Sequence, residues 1–147
     1  MASAQDRGRS RSIPVIWREV IRDSDLDKMS KLVAHTHSTH LDAQGTHYTS
    51  RDTLAREASV SDRTVDAANK TLLAGGFLYF PPGDRGGRSK THTYAAQIPS
   101  TASPIHAAEW ETANAISNEF RNSANNGEGT SQRAHPIAAS ANDVRPK

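Results

Sequence analysis

The 147-residue sequence contains no cysteine. This absence excludes disulfide bonds, thiolate zinc sites and cysteine nucleophiles. Aromatic residues make up only 5% of the chain, and apolar residues as a whole only 35%. Because the mean hydropathy is −0.70, any hydrophobic core must be concentrated in part of the sequence.

Long apolar runs are also missing. No segment approaches the roughly 20 apolar residues that a membrane-spanning helix needs, and the charged N-terminus lacks the apolar stretch of a signal peptide. We therefore expect a soluble, cytoplasmic protein with no membrane partner. No serine–histidine–aspartate or paired-carboxylate arrangement has supporting context, so we expect neither an enzyme nor a cofactor.

Positive charge is unevenly distributed, although the net charge is only +2. Residues 1–22 hold five arginines against two acidic residues, and residues 84–92 hold Arg85, Arg88 and Lys90 against Asp84. Residues 23–83 hold eight acidic and six basic residues. A basic arm and a basic loop are suited to gripping a duplex backbone, but polar tails are often basic for solubility alone.

Hydrophobic periodicity predicts mainly helical structure. Apolar residues recur at helical spacing in five segments, which predict helices near 14–22 and 26–41, a short helix containing Leu54 and Ala58, and helices at 62–74 and 105–121. After Gly75 and Gly76 the period changes to two, which predicts strands at 77–80 and 91–98 joined by a glycine-rich loop.

These elements predict an α+β fold that is mainly helical with a small β-hairpin. We expect one domain at 12–99, preceded by a disordered basic arm at 1–11. A linker and accessory helix at 100–121 and a disordered tail at 122–147 follow.

Capping signals define two consecutive helices. Thr49-Ser-Arg-Asp52 has the form of a capping box, with a hydroxyl at the cap and a carboxylate three residues later. Ser59 and Val60 form a tight turn, and Ser61 caps the helix at 62–74. Gly75 and Gly76 stop that helix, because glycine adopts the left-handed C-terminal conformation without strain.

The segment from Thr49 to Leu78 resembles the helix-turn-helix domains of small phage, plasmid and bacterial regulators. The matching residues are Leu54-Ala55, Val60-Ser61, Arg63-Thr64-Val65, Leu72 and Gly76. The loop that ends in Gly86-Gly-Arg-Ser-Lys90 resembles the wing of that family, and we call residues 81–90 the wing. The resemblance implies a winged helix-turn-helix fold and binding of double-stranded DNA.

In such a domain the helix at 62–74 would enter the major groove. With Val65 and Leu72 buried, its opposite face exposes Arg63, Asp66 and Lys70, with Asn69 at the margin. Arg63 is the candidate for a guanine contact and Lys70 for a phosphate contact. The candidate backbone contacts, from two helix N-termini and from the wing, are Thr49, Ser50, Arg51, Ser61, Thr64, Arg85, Arg88 and Lys90.

A histidine cluster at 35–47 is the only dense metal-capable group in the sequence. His37 and His40 are three residues apart on a helix, but His35 points away and no second carboxylate completes a ligand spacing. The position of His37 is normally a core position in this fold. We therefore expect an internally hydrogen-bonded histidine and no metal.

Three functions are compatible with these patterns: a sequence-specific transcriptional regulator, a replication-initiation or recombination accessory protein, and a winged-helix module that binds another protein. Asp62 and Asp66 on the reading helix favour the third, since carboxylates repel phosphate. A homodimer through residues 105–121 is a further expectation, because an apolar stripe lies beyond the domain: Ile105, Trp110, Ala113, Ile116 and Phe120. The alternative is that this helix folds back onto the first helix of the same molecule.

Overall fold

The computed structural model describes residues 11–84 and 91–132, with side chains up to residue 125. Most of the predicted basic arm, the wing residues Arg85, Arg88 and Lys90, and the chain after residue 132 lie outside the described residues.

The described part of the chain contains five helices and three short strands. In chain order they are α1 (Ile13–Asp23), α2 (Lys28–Ser38), β1 (Thr46–His47), α3 (Arg51–Ala58), α4 (Asp62–Ala74), β2 (Leu78–Tyr79), β3 (Tyr94–Ala96) and α5 (Pro104–Gln132). The strands form an antiparallel sheet in the order β1-β3-β2. The predicted α+β class, mainly helical with a small sheet, is therefore confirmed.

The prediction of a two-stranded hairpin was incomplete. A third strand, β1, pairs with β3 through Thr46 opposite Ala95 and His47 opposite Tyr94. Two residues are too few to show an alternating pattern, so β1 has no periodicity signal of its own. The two predicted strands are also shorter than expected, and only Leu78–Tyr79 and Tyr94–Ala96 pair.

Helix α2 ends before the predicted boundary at residue 41. The backbone N–H of Thr39 donates to Thr36 O. Two hydroxyl groups also donate to carbonyl oxygens at this end of the helix, Ser38 Oγ to His35 O and Thr39 Oγ1 to Thr36 O. Because short polar side chains satisfy the last carbonyls, the helix stops there. Leu41 lies just beyond the turn at Thr39 and His40 and still packs on the core.

Helix α5 continues beyond the predicted end at residue 121, to Gln132. The segment that we expected to be a disordered tail is thus helical in the structure as far as residue 132. No proline lies between Pro104 and Pro136 to interrupt the backbone hydrogen bonds. The chain forms two compact units, Met1–Asn114 and Ala115–Lys147, so α5 begins in the first and continues in the second.

Two hydrophobic clusters hold the first unit together. The larger surrounds Trp17, which is fully buried and whose Nε1 donates to Phe77 O at 2.9 Å and Gln97 O at 3.1 Å. This indole therefore ties α1 to the ends of the sheet. The smaller cluster joins α2, α3 and α4 through Val33, Leu54, Ala55, Val65 and Ala68.

Among the described residues, no helix combines the length and apolar character needed to cross a membrane.

Candidate nucleic-acid interface

A tight turn joins α3 and α4. Ser59 ends α3 in the left-handed conformation with φ +56°, and the N–H of Val60 bonds back to Ala55 O at 3.0 Å. Val60 is half-buried against the α2–α3–α4 cluster. Ser61 then caps α4 by accepting the N–H of Thr64 at 3.1 Å, as its sequence position predicted.

The predicted cap of α3 was wrong by one residue. Ser50, not Thr49, is the N-cap, and its Oγ accepts the N–H of Thr53 at 3.2 Å. The N–H of Thr49 instead donates to His47 Nδ1 at 3.1 Å. Because that amide is already used, Thr49 has no backbone donor left for a phosphate, and the predicted capping box does not form.

The outer face of α4, which consists of Arg63, Asp66, Ala67 and Lys70, is exposed as predicted. Arg63 and Lys70 make no hydrogen bond or ion pair within the described part of the chain. Both cationic groups are therefore available to an external partner. Thr64 is half-buried, and its hydroxyl bonds to Ser61 Oγ at 3.0 Å.

The side chain of Arg51, at the start of α3, lies against the exposed face of α4. Its guanidinium is 3.2 Å from a carboxylate oxygen of Asp66 and 3.7 Å from one of Asp62. Asp66 and Asp62 raise the pKa of Arg51. Arg51 on α3 thus contacts both carboxylates of α4 and offsets one of their two negative charges, so this predicted phosphate donor is already engaged.

Asn69 was predicted at the margin of the reading face, but the structure buries it. Its exposed fraction is 7%, and its Oδ1 bonds to His37 Nε2 at 2.8 Å. Its Nδ2 donates to the Tyr94 hydroxyl at 3.3 Å. Asn69 is therefore a structural residue that faces α2 and β3, and it cannot read a base.

Three buried polar side chains and two half-buried neighbours form one directional chain of hydrogen bonds, which we call the histidine chain: Thr49 N–H, His47, His37, Asn69 and Tyr94. His47 Nδ1 accepts from Thr49, so the proton of neutral His47 is on Nε2, which donates to His37 Nδ1 at 2.7 Å. The proton of neutral His37 is then on Nε2 and donates to Asn69. Every bond is satisfied only when both imidazoles are neutral.

Burial accounts for the titration of these two histidines. Desolvation lowers the pKa of His37 to about 4, against the opposing hydrogen bond to Asn69. Desolvation and the neighbouring His37 and His40 lower the pKa of His47 to about 3. Both imidazoles are therefore neutral at physiological pH, as the hydrogen-bond chain requires.

Of the histidines in the cluster at 35–47, His37 and His47 meet in a direct hydrogen bond, and the other two do not join them in it. His37 is fully buried, His35 is exposed, and His40 Nε2 pairs with Glu57 at 2.8 Å. The expectation of an internally hydrogen-bonded His37 is confirmed. Sequence reasoning missed the partners Asn69 and Tyr94, because they are far from His37 in the chain and no local pattern connects them.

The first residues of the wing are held by Asp84. Its Oδ2 lies 2.7 Å from His92 Nδ1, and its Oδ1 accepts the N–H of Thr93 at 2.8 Å. The ring of His92 stacks on Phe80, with centroids 4.4 Å apart. These contacts connect the residues that precede segment 85–90, Phe80 and Asp84, to the residues that follow it, His92 and Thr93.

Comparison of the chain with models of known families, with characterised proteins and with solved structures finds no match.

Proposed function

We propose that this protein binds double-stranded DNA through a winged helix-turn-helix domain at residues 12–99 and acts as a sequence-specific transcriptional regulator. The observation that carries the proposal is the exposed face of α4, where Arg63 and Lys70 have no partner among the described residues. A helix that presents unpaired cationic donors along one exposed face, beginning in its first turn, fits the major groove.

Arg63 is the residue that we assign to base reading. It follows the cap Ser61 by two positions and is exposed in the first turn of α4. An arginine there can form a bidentate contact with O6 and N7 of guanine. Lys70 lies two turns further along the helix, where a phosphate contact is the better fit.

Backbone contacts would come from the start of α3, the start of α4 and the wing. Ser50 and Ser61 each accept one backbone N–H, so the remaining N–H groups of the first turns are free to face a phosphate. Arg85, Arg88 and Lys90 would add contacts from the wing. In this arrangement Arg51 offsets part of the negative charge of Asp62 and Asp66, and Asp66 can accept a hydrogen bond from cytosine N4.

A role in replication initiation or recombination would use the same protein surface. It would differ from transcriptional regulation in the DNA site to which the protein binds. Either role places the protein in the cytoplasm, on the nucleoid when it is bound to DNA. Binding of another protein is the alternative favoured by the carboxylates of Asp62 and Asp66, which would suit a basic partner.

The proposal is tested by selecting bound sequences from a random duplex pool with the full chain and with Arg63→Ala. We expect a defined site, and we expect Arg63→Ala to lose about 1–3 kcal/mol on it and to relax the preference at one base pair. Arg22→Ala is the matched control, because Arg22 lies on α1 and pairs with Asp23. An unenriched pool would contradict the proposal, and an identical preference in the Arg63→Ala variant would remove Arg63 from base reading.

A salt titration on random duplex separates DNA binding from binding of a protein partner. Each phosphate contact contributes about −0.9 to the slope of log K against log salt. Replacing Arg85, Arg88 and Lys90 with glutamine should reduce the magnitude of that slope by up to about three such contributions. No measurable affinity for duplex at low salt would leave a protein-binding module as the better explanation.

A further inference from the structure

A second cluster of chemically active side chains lies between α1 and the start of α5, and the proposed DNA contacts do not include it. Glu19, His106 and Glu109 each bring one potential ligand atom to within 4.8 Å of the other two. All three side chains are half-buried. His106 and Glu109 are three residues apart on α5 and therefore share one face of the helix.

The imidazole of His106 is held in a defined orientation. Its Nε2 lies 3.2 Å from Asp23 Oδ2, and its Nδ1 is buried without a hydrogen-bond partner in the described part of the chain. With the Nε2 proton donated to Asp23, Nδ1 carries an unused lone pair. A histidine oriented by a carboxylate on one nitrogen and free on the other is the usual arrangement of a metal-binding imidazole.

A cation already bridges the two carboxylates. The guanidinium of Arg11 pairs with Glu19 through Nη2 and with Glu109 through Nη1, the latter at 3.4 Å. Arginine has only N–H donors, and those of Arg11 bond to the two carboxylates. Within the described part of the chain, none of them is donated to His106 Nδ1. The side chain of Arg11 is also 39% exposed, so it can swing into solvent.

We propose that Glu19, His106 and Glu109 bind a divalent transition-metal ion of the zinc type, and that Arg11 competes with the ion for the two carboxylates. Nitrogen and carboxylate ligands at about 2.0–2.2 Å suit Zn²⁺, and three protein ligands leave one position for water. The imidazole disfavours Mg²⁺ and Ca²⁺, which prefer oxygen ligands. The site does not depend on the proposed DNA binding.

The experiment is isothermal titration of the chelator-treated full chain with zinc chloride. We expect one site whose affinity falls at least about tenfold in His106→Ala and in Glu109→Gln, and about 10- to 100-fold in Asp23→Asn, which removes the orienting carboxylate. Arg11→Ala should have the opposite effect and tighten zinc binding, because the competing cation is gone. His35→Ala is the control, since His35 is an exposed histidine outside the cluster.

Thermal melting of each variant in chelator shows whether it folds. If His106→Ala does not fold, Glu109→Gln and Arg11→Ala carry the test. The proposal is overturned if the folded His106→Ala or Glu109→Gln variant binds zinc as tightly as the wild-type chain, or if the wild-type chain binds no zinc. Unchanged zinc affinity in Arg11→Ala would overturn the competition by Arg11.

Discussion

Arg51 and the carboxylates of α4 determine the charge of the proposed reading face. Without Arg51 the outer surface of α4 would hold two acidic and two basic side chains close to any bound phosphate. With it, 3.2 and 3.7 Å from the two carboxylates, three cationic side chains face two anionic ones, and the surface keeps one net positive charge. An exposed pair of this kind contributes little to folding, typically less than about 1 kcal/mol.

Arg51→Ala should therefore leave thermal stability nearly unchanged and weaken duplex binding about tenfold, since each uncompensated charge near phosphate costs on the order of 1 kcal/mol. Fluorescence anisotropy with a labelled duplex at fixed salt gives the affinity. In an Asp62→Asn, Asp66→Asn background the same substitution should cost much less. An equal loss in both backgrounds would mean that Arg51 contacts phosphate directly and does not act through the carboxylates.

At the scale of elements, the histidine chain connects α2, β1, α4 and β3 through buried hydrogen bonds. It therefore fixes the position of the proposed reading helix relative to the sheet from which the wing extends. A buried polar network that is fully satisfied specifies one packing arrangement, whereas a partly satisfied one is costly. Acidification is the condition that breaks this network, because a second proton on either imidazole places two donors against each other.

The sign of the pH dependence follows from the lowered pKa values of His37 and His47, about 4 and about 3. In the unfolded chain both histidines bind protons near pH 6.5, whereas in the folded chain they stay neutral to lower pH. The unfolded state therefore binds more protons between these values, and stability falls as the pH decreases from about 6.5 towards 4. The slope contributed by two histidines is at most about 2.7 kcal/mol per pH unit.

Asn69→Asp tests this account with an isosteric change. A carboxylate that accepts from His37 Nε2 favours the protonated imidazole, so the pKa of His37 should rise and the slope between pH 6.5 and 4 should fall by about half. Urea denaturation of the wild-type chain and of Asn69→Asp at several pH values measures this slope of stability against pH. Asp25→Asn is the control, because Asp25 is exposed. Parallel stability curves for the wild-type chain and Asn69→Asp would contradict the assignment of the slope to His37.

At the scale of the whole molecule, the apolar stripe predicted for dimerisation divides into two groups. Trp110 and Ala113 are buried in the cluster around Trp17, whereas Ile105 and Phe120 are 71% and 69% exposed. The apolar residues of α1, Trp17, Val20 and Ile21, are buried in the same cluster and are not available to a second chain. The homodimer through residues 105–121 therefore stays a prediction, now assigned to the exposed residues of the stripe.

Trp110→Ala and Phe120→Ala should separate folding from assembly. Trp110→Ala removes a buried indole and should cost about 3 kcal/mol or more of stability. Phe120→Ala should leave the stability of the first unit unchanged and reduce the fraction of dimer. Chemical denaturation and sedimentation equilibrium measure the two effects. A monomeric wild-type chain, at high concentration and on DNA, would contradict the predicted dimer.

Much of the helical framework was predictable from the sequence because its determinants are local. The cap at Ser61, the stop at Gly75 and the spacing of Val65, Ala68 and Leu72 are sufficient to define α4 and to say which of its faces is exposed. The same periodicity predicted α1 to within one residue at each end. Such signals lie within a few residues of one another, so no tertiary contact is needed to interpret them.

Other features were decided only by tertiary structure, because they depend on groups that are distant in the chain. Asn69 occupies a position that helix geometry alone places at the margin of the exposed face, and its burial follows from His37, 32 residues away, and Tyr94, 25 residues away. Strand β1 exists because β3 pairs with it. Arg11 meets Glu109 across 98 residues of sequence. Local sequence determined which segments form helices, and long-range packing determined which polar side chains remain exposed.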